Sequence, residues 1–490
     1  MILVLFLIFL FHYLFYEFYW KRRNLPPGPI PLPIFGNLLD INRPPPGYEA
    51  FEKWKKKFGN VFTFWIGSNP FVVITSYDII KDTFIRDPDT YVEKKVNKLL
   101  RAGEYGILDS NGEMWREHRR FALSTLRDFG FGKNLMQEKI LIEVEDLFKK
   151  FDKTEGSEVV IQDNFDNAIA NVINQLLFGY RFDETRHDEF LQVKNILDGP
   201  DRVFGKFHIF LMTNISFLSK IVPKKWALRE LNEFSQATGM FFAKQIADHR
   251  KKVDFEDPDS SDFVEAYLKE QRKRENEGDK ESFCNIQLTN VCIDLWFAGH
   301  GTTANTVCWA IAYLLNTPGI QEKVHEELDR VIGSDRLVTT ADKNDLPYMN
   351  AFINETQRCA NILPLNLQHV ATKDTVIDGY HIPKGTGVIA QIANVMLDEK
   401  VFPEPYRFNP ERFIENGKLK KVEELVPFSI GKRQCLGEGL ARMELFLFIA
   451  NFFNRYTISP AKTGPPSLEK RCGSLATPRV FSGTVRRRHS

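Results

Sequence analysis

The sequence predicts a mainly α-helical body with small β-sheet regions, standing behind an N-terminal membrane-anchor helix. Three observations carry that prediction: an apolar opening stretch at 1–20, helical patterns over most of 78–360, and two short β-rich tracts at 60–75 and 372–390. The opening stretch, MILVLFLIFLFHYLFYEFYW, holds one ionised side chain, Glu17, and spans about 30 Å as a helix, one bilayer. It has no Ala, Gly or Ser to form a cleavage site, so it is expected to stay attached as a signal anchor. Its apolar residues surround the whole helix, unlike the single stripe of a core helix. Tyr16, Phe18, Tyr19 and Trp20 gather at one end, followed by Lys21-Arg22-Arg23, which the positive-inside rule holds in the cytosol. Residues 21–36 then form a basic and proline-rich linker whose fixed φ angles favour an extended connector that orients the body, 37–490, on the membrane.

Within the body, VFTFWIG and FVVIT flank Gly67-Ser68-Asn69-Pro70 as a hairpin. Polar stretches at 251–262 and 270–282 read as surface loops or solvated helix ends, too short to divide domains. Residues 288–316 form one helix about 43 Å long, with Gly299-His300-Gly301-Thr302-Thr303 as its weakest point, where a loosened ladder leaves room for a small ligand. The tract TKDTVIDGYHIPKGTGVIA, 372–390, supplies a second small sheet region.

Composition excludes several classes. An apolar fraction of 43% is that of a globular chain, and 65 Lys and Arg against 64 Asp and Glu lack the positive excess that nucleic acid requires. The six cysteines lack the paired spacing of a disulfide framework or a zinc site, and no HExxH or Walker loop occurs. Pro427 stands where a hydrolase elbow needs Gly, and the GxG strings at 385–387 and 437–439 have no strand-turn-helix setting. The chain thus shows no dinucleotide site of its own.

The chemistry lies in Phe428-Ser429-Ile430-Gly431-Lys432-Arg433-Gln434-Cys435-Leu436-Gly437, just before the helical run GEGLARMELFLFIANFF. A cysteine before a helix meets unpaired N–H groups and the positive end of the dipole, which favour a thiolate able to bind iron. Gly431 and Gly437 allow a tight turn and close approach of a flat ring, and Arg433 offers a fork to a carboxylate at its edge.

This decapeptide resembles the haem-binding signature of the cytochrome P450 superfamily, matching at Phe428, Gly431, Arg433, Cys435 and Gly437. Further motifs follow the family's order and extend the resemblance from the anchor to about residue 480, closest to the microsomal second family and its relatives. Glu355-Thr356-Gln357-Arg358 is similar to ExxR, and Phe408-Asn409-Pro410-Glu411-Arg412-Phe413 adds Arg412 to a Glu-Arg-Arg network that, in the family, holds the core and the haem loop. Taken alone, Glu355 and Arg358 read as a solvated i, i+3 pair. Trp115 and Arg119 resemble the WxxxR element that meets a haem propionate, and His369 matches a second propionate contact.

The resemblance implies the P450 fold, with a long central helix over haem b and a thiolate loop beneath, so that 37–490 is the haem-binding catalytic domain. Cys435 is the implied iron ligand; Trp115, Arg119, His369, Arg433, Phe428, Gly431 and Gly437 are the implied haem contacts. Ala298 to Thr303 resembles the oxygen-activating stretch, with Thr302, His300 and Thr303 as catalytic candidates, yet Gly301 stands where the family places an acid. Ordered water beside Gly301, or His300 titrating near neutral pH, are the two substitutes. The implied activity is insertion of one atom of O2 into a lipophilic molecule of the fatty acid, steroid or xenobiotic class. Electrons would come from an NADPH-dependent flavoprotein reductase of the endoplasmic reticulum membrane, docking near Lys420, Lys421 and Lys432. The runner-up is a reductase-independent isomerase or dehydratase of lipid peroxides. The apolar run Val203 to Val222 is expected to roof the pocket beside membrane lipid, with 91–110 as another wall.

Overall fold

In the computed structural model the described residues are 2–41, 48–95, 104–129, 134–197, 199, 206, 208, 212, 222, 228–472 and 475–489. Most of the Val203 to Val222 run and part of 91–110 lie outside them. Helix α1 (Ile2–Phe18) is exposed almost throughout, and the segment Ile2–Arg22 is long and apolar enough to cross a membrane. Its Glu17 pairs with Lys21, whose ammonium sits 4.5 Å over the Trp65 ring, so the anchor's end is clasped to the body.

The linker is neither extended throughout, as its prolines predict, nor a free spacer: it begins in a 3-10 helix (Trp20–Arg22) and ends in a turn closed by a Leu32–Gly36 bridge, with only 26–31 free of helix and turn. Strand β1 (Val61–Ile66) takes it as an edge: Thr63 N–H donates to Pro27 O at 3.0 Å and Asn37 N–H to Trp65 O at 2.7 Å. Gly28 is required there, since a Cβ would lie 1.8 Å from the Thr63 carbonyl oxygen. Strand β2 (Asn69–Ile74) closes the expected hairpin through Gly67, at φ +59°.

The remaining elements that frame the site are β3 (Glu93–Lys94), α2 (Gly112–Asp128), α3 (Ile161–Phe178), α4 (His187–Leu197), α5 (Asn285–Asn316), α6 (Pro347–Ala360), β4 (His369–Val370), β5 (Gly387–Ala390) and α7 (Glu438–Arg455). One sheet runs β1-β2-β5-β4-β3, with β2 and β5 parallel and the other pairs antiparallel. Between β4 and β5, Thr375–Ile377 and Tyr380–Ile382 form the expected small hairpin, turned by Asp378 and Gly379 at positive φ. A second sheet joins Tyr456–Pro460, Ser482–Arg487 and Glu158–Val160.

Helix α5 crosses the body for 32 residues, about 48 Å. It stays α-helical through Gly299 to Thr303, against the expected loosening. The polar side chains there bond to carbonyls four residues back, Thr302 Oγ1 to Ala298 O at 2.6 Å and Thr306 Oγ1 to Thr302 O at 2.8 Å, without opening the ladder. Trp296 and Trp309 bury this helix among α3, α6 and α7.

The Glu-Arg-Arg network is not a solvated pair. Arg358 holds Glu355 bidentately at 2.7 and 2.9 Å, Arg412 Nε adds a bond at 3.0 Å, and both members of the α6 pair are fully buried. Asn409 N–H and the Met396 carbonyl complete it, tying α6 to the strand and loop region before the cysteine. Two arginines and a backbone N–H on one carboxylate are what make burial of these charges tolerable.

Candidate active site

The cysteine loop has no regular secondary structure but is tightly closed. Cys435 N–H donates to Phe428 O at 3.1 Å and Gln434 N–H to Gly431 O at 3.0 Å, with Ser429 and Gly431 at positive φ. A Cβ on Gly431 would come 2.5 Å from the Phe84 carbonyl oxygen, so this glycine serves packing against the neighbouring backbone. Gly437, at the N-terminus of α7, has nothing within 4 Å of its missing Cβ and opens on a cavity of about 1500 Å³. Phe428 lines the same cavity under the Arg442 guanidinium, 4.9 Å away.

Cys435 is exposed by surface area yet encased by protein, because its open face looks into this cavity. Burial pushes its thiol above the ordinary range. Backbone N–H groups of Gly437 and Glu438 and the Arg119 charge pull the other way, as the helix N-terminus predicts, but they do not prevail.

At one edge of the cavity, cations collect. Arg433 donates to Val92 O (2.8 Å), Ile107 O (3.1 Å), Ser110 O (2.6 Å) and Asn111 Oδ1 (3.0 Å), all neutral acceptors, and stacks 3.9 Å from the Trp115 ring. Arg119 donates to Gln434 O at 2.6 Å. Sheet register places Lys94 on β3 opposite His369 on β4, and Lys94 Nζ donates to His369 Nε2 at 2.9 Å while His369 Nδ1 donates to Tyr91 O at 2.6 Å. Both nitrogens of His369 are thus engaged, and Lys94 is the cationic group of the pair. Burial and the Arg433 charge pull Lys94 down to about 7, and burial with Arg119 pulls Arg433 down to about 9. Trp115 Nε1 is buried with no partner among the described residues.

The carboxylates of Asp109 and Glu93 offset these cations only in part, and the cluster holds an orphaned donor, beside a cavity with a cysteine in its wall. A flat group carrying two carboxylates and a metal fits it: anions would relieve the strained cations and accept from Trp115, and the metal would draw the proton from Cys435. Lys94 was not singled out by the sequence, because a lysine in a short strand carries no motif; only its register with His369 marks it.

The three oxygen-side candidates part company. Thr302 opens on the cavity. Thr303 turns to α7 and donates to Glu444 Oε2 at 3.0 Å. His300 turns to α3, where its Nε2 donates to Asp166 O at 3.2 Å. Gly301 carries no acid, and among the described residues only Leu475 Cδ1, at 3.3 Å, approaches the place of its Cβ. Among the expected surface lysines, Lys432 is paired with Asp89 at 2.5 Å and Lys420 with Glu415 at 3.7 Å, while Lys421 is exposed.

Comparison with known proteins gives one answer. The family model described as Cytochrome P450 matches residues 26–482. Cytochrome P450 2J1 of Oryctolagus cuniculus is 34% identical over 473 residues, covering 95% of this chain and 92% of the relative. Cytochrome P450 2J2 of Homo sapiens is 36% identical over 468 residues (94% and 91%), and cytochrome P450 2H1 of Gallus gallus 35% over 447 residues (90% and 89%).

Proposed function

The chain belongs to the cytochrome P450 family of haem monooxygenases, and from that premise we propose how its own residues carry out the reaction, on which substrates and with which partner. Cys435 is the iron ligand; Trp115, Arg119, Arg433 and Lys94, backed by His369, hold the two propionates; Phe428, Gly431 and Gly437 shape the loop. The supporting observation is the cavity itself, with a cysteine in its wall and an anion-poor cation cluster at its edge. Bound haem supplies oxygen activation: two electrons and two protons are consumed, one oxygen atom enters a C–H bond of the substrate, and the other leaves as water.

The protein's part is to hold, exclude and protonate. Thr302 Oγ1 donates its hydrogen bond to Ala298 O, which leaves the hydroxyl oxygen to accept from water in the cavity and so to hold that water in place as the proton donor. Phe297, Ala298, Leu363 and Leu367 wall the space with apolar surface, which suits a lipophilic substrate of the fatty acid, steroid or xenobiotic class. Residues 1–20 anchor the chain in the endoplasmic reticulum membrane with 21–36 as linker and 37–490 as the catalytic domain on the cytosolic face. An NADPH-dependent flavoprotein reductase delivers the electrons at a surface that includes Lys421.

The deciding experiment is the reduced, carbon monoxide-bound difference spectrum of the wild type and of Cys435→Ala, followed by NADPH consumption with purified reductase and a panel of lipids. A thiolate-type band that the substitution abolishes, with reductase-dependent product, is the expected result. An unchanged band in Cys435→Ala, or product from lipid peroxides without reductase, would overturn the proposal.

A further inference from the structure

The cavity has a polar arm that the reading above does not use. Its walls are the first turns of α3, the Lys194 side of α4, the segment 475–480 and one side of α5. Lys194 Nζ bonds Asp163 Oδ1 at 3.0 Å and reaches Asp166 Oδ2 at 3.4 Å. His300 Nε2 lies 3.2 Å from Asp166 O and 3.9 Å from the Asp166 carboxylate. Asn305 Nδ2 donates to Gly301 O at 2.7 Å. All of these residues line the same cavity as Thr302 and Cys435.

Helix geometry explains how the arm meets the oxygen side. At about 100° per residue, His300 and Thr302 point to opposite sides of α5, and position 301 lies between them, with Asn305 on its shoulder. A side chain at 301 would stand in that gap. Glycine leaves it open apart from the flexible tip of Leu475. Asp163, the partner of Lys194, has 67% of its side chain exposed, which sets the outer end of the arm toward solvent.

We propose that this arm admits protons to the cavity, with Asp166 and His300 as relay residues in place of the carboxylate that Gly301 lacks. The inference rests on the monooxygenase reading. A proton from bulk water is taken by the Asp166 carboxylate and passes to Nε2 of His300 in its Nδ1–H tautomer as the Nδ1 proton leaves the ring for water alongside Gly301 and reaches the water held by the Thr302 hydroxyl oxygen; the new Nε2–H donates to Asp166 O, and tautomer exchange through water resets the ring. Each group is then reprotonated from its solvent side, so the relay needs no co-reactant. The charged groups facing His300 are Asp166 and, through it, Asp163 and Lys194. Neither His300 nor Asp166 is a catalytic residue; they act through Thr302.

The test uses full-length holoenzyme with reductase. Asp166→Asn keeps the backbone acceptor for His300, and His300→Gln keeps a donor to that acceptor, so a packing role survives both changes. Each is expected to lower product per NADPH oxidised by about tenfold, with peroxide rising and the carbon monoxide spectrum unchanged. Adding Gly301→Glu to His300→Gln is expected to restore coupling, because it returns an acid to the gap. Coupling within about twofold of wild type in both single variants, or no rescue by Gly301→Glu, would overturn the relay. A second readout needs no turnover: deuterium exchange at the ring carbon of His300, followed by mass spectrometry, is expected to outpace that of His118, which is sealed between Met114 O and Tyr267. Exchange at His300 as slow as at His118 would close the arm. Absence of reductase-dependent product in the wild type would instead sink the monooxygenase reading.

Discussion

Glu444→Gln should change the pH dependence of stability in a direction fixed by the structure. Glu444 lies on α7 with 1% of its surface exposed; one carboxyl oxygen accepts from Thr303 and the other, Oε1, has no partner among the described residues. Burial pushes its carboxyl up to about 8, against the smaller pull of the Thr303 bond, so the folded protein carries it neutral at pH 7. Its unfolded value is near 4.5. Below that value both states are protonated and the contribution is fully present. Between 4.5 and 8 unfolding releases a proton, so stability falls as pH rises. At about 1.4 kcal/mol per pH unit the loss reaches about 5 kcal/mol at most, and about 2–5 kcal/mol once the unfolded chain and local relaxation share it. That is a large part of a typical 5–15 kcal/mol domain stability, to take about the usual range. Glutamine is neutral throughout and still accepts from Thr303. Melting midpoints of holoenzyme, scanned at one rate from pH 5 to 8, should therefore fall for the wild type relative to Glu444→Gln. An infrared band of a protonated carboxyl at pH 7, absent from the variant, is the direct correlate. Parallel pH profiles for the two proteins would refute the reasoning.

Other outcomes follow from the same balance of charge and burial. Arg358→Ala leaves the Glu355 carboxylate buried with Arg412 alone, which should cost about 3–5 kcal/mol and deplete haem-loaded protein, read as loss of the carbon monoxide band in fresh extracts. Lys94→Met and Trp115→Phe each remove a proposed propionate donor while keeping volume. Haem transfer to an excess of a scavenging globin should speed up by about tenfold, the worth of one charge-assisted bond, and an unchanged rate would exclude that donor.

What the sequence made legible was local. The apolar segment of α1, the β1-β2 hairpin, the span of α5 and the loop at Cys435 are each written in adjacent residues, and each lies where the pattern puts it. What escaped was set by distance or burial. Lys94 meets His369 across 275 positions, through a register that no local pattern encodes. The linker looked like a spacer because its proline pattern says nothing of the backbone bonds it makes to β1. The resemblance foretold the network of Glu355, Arg358 and Arg412, but spacing alone did not, because i, i+3 is the same on any helix face and the packing around α6 is what removes the water. At Cys435 the helix N-terminus was read correctly, but burial outweighs it.

The motif Gly299 to Thr303 shows why reading a run of polar residues as one site misleads. Successive residues on α5 differ by about 100°, so three neighbours face three environments. All three line one cavity, but His300 bonds to α3, Thr302 to its own helix and Thr303 to a buried carboxyl on α7. Moving a function one residue along this helix therefore gives it another neighbour. A carboxylate placed at 300 would confront Asp166, and one at 302 would remove the hydroxyl that opens on the cavity. At 301 an acid would stand between these two neighbours, and there, among the described residues, only the flexible end of Leu475 comes near. The absent acid and the polar arm are two sides of one arrangement: without a side chain at 301, proton supply depends on what the arm's own residues can hold and pass.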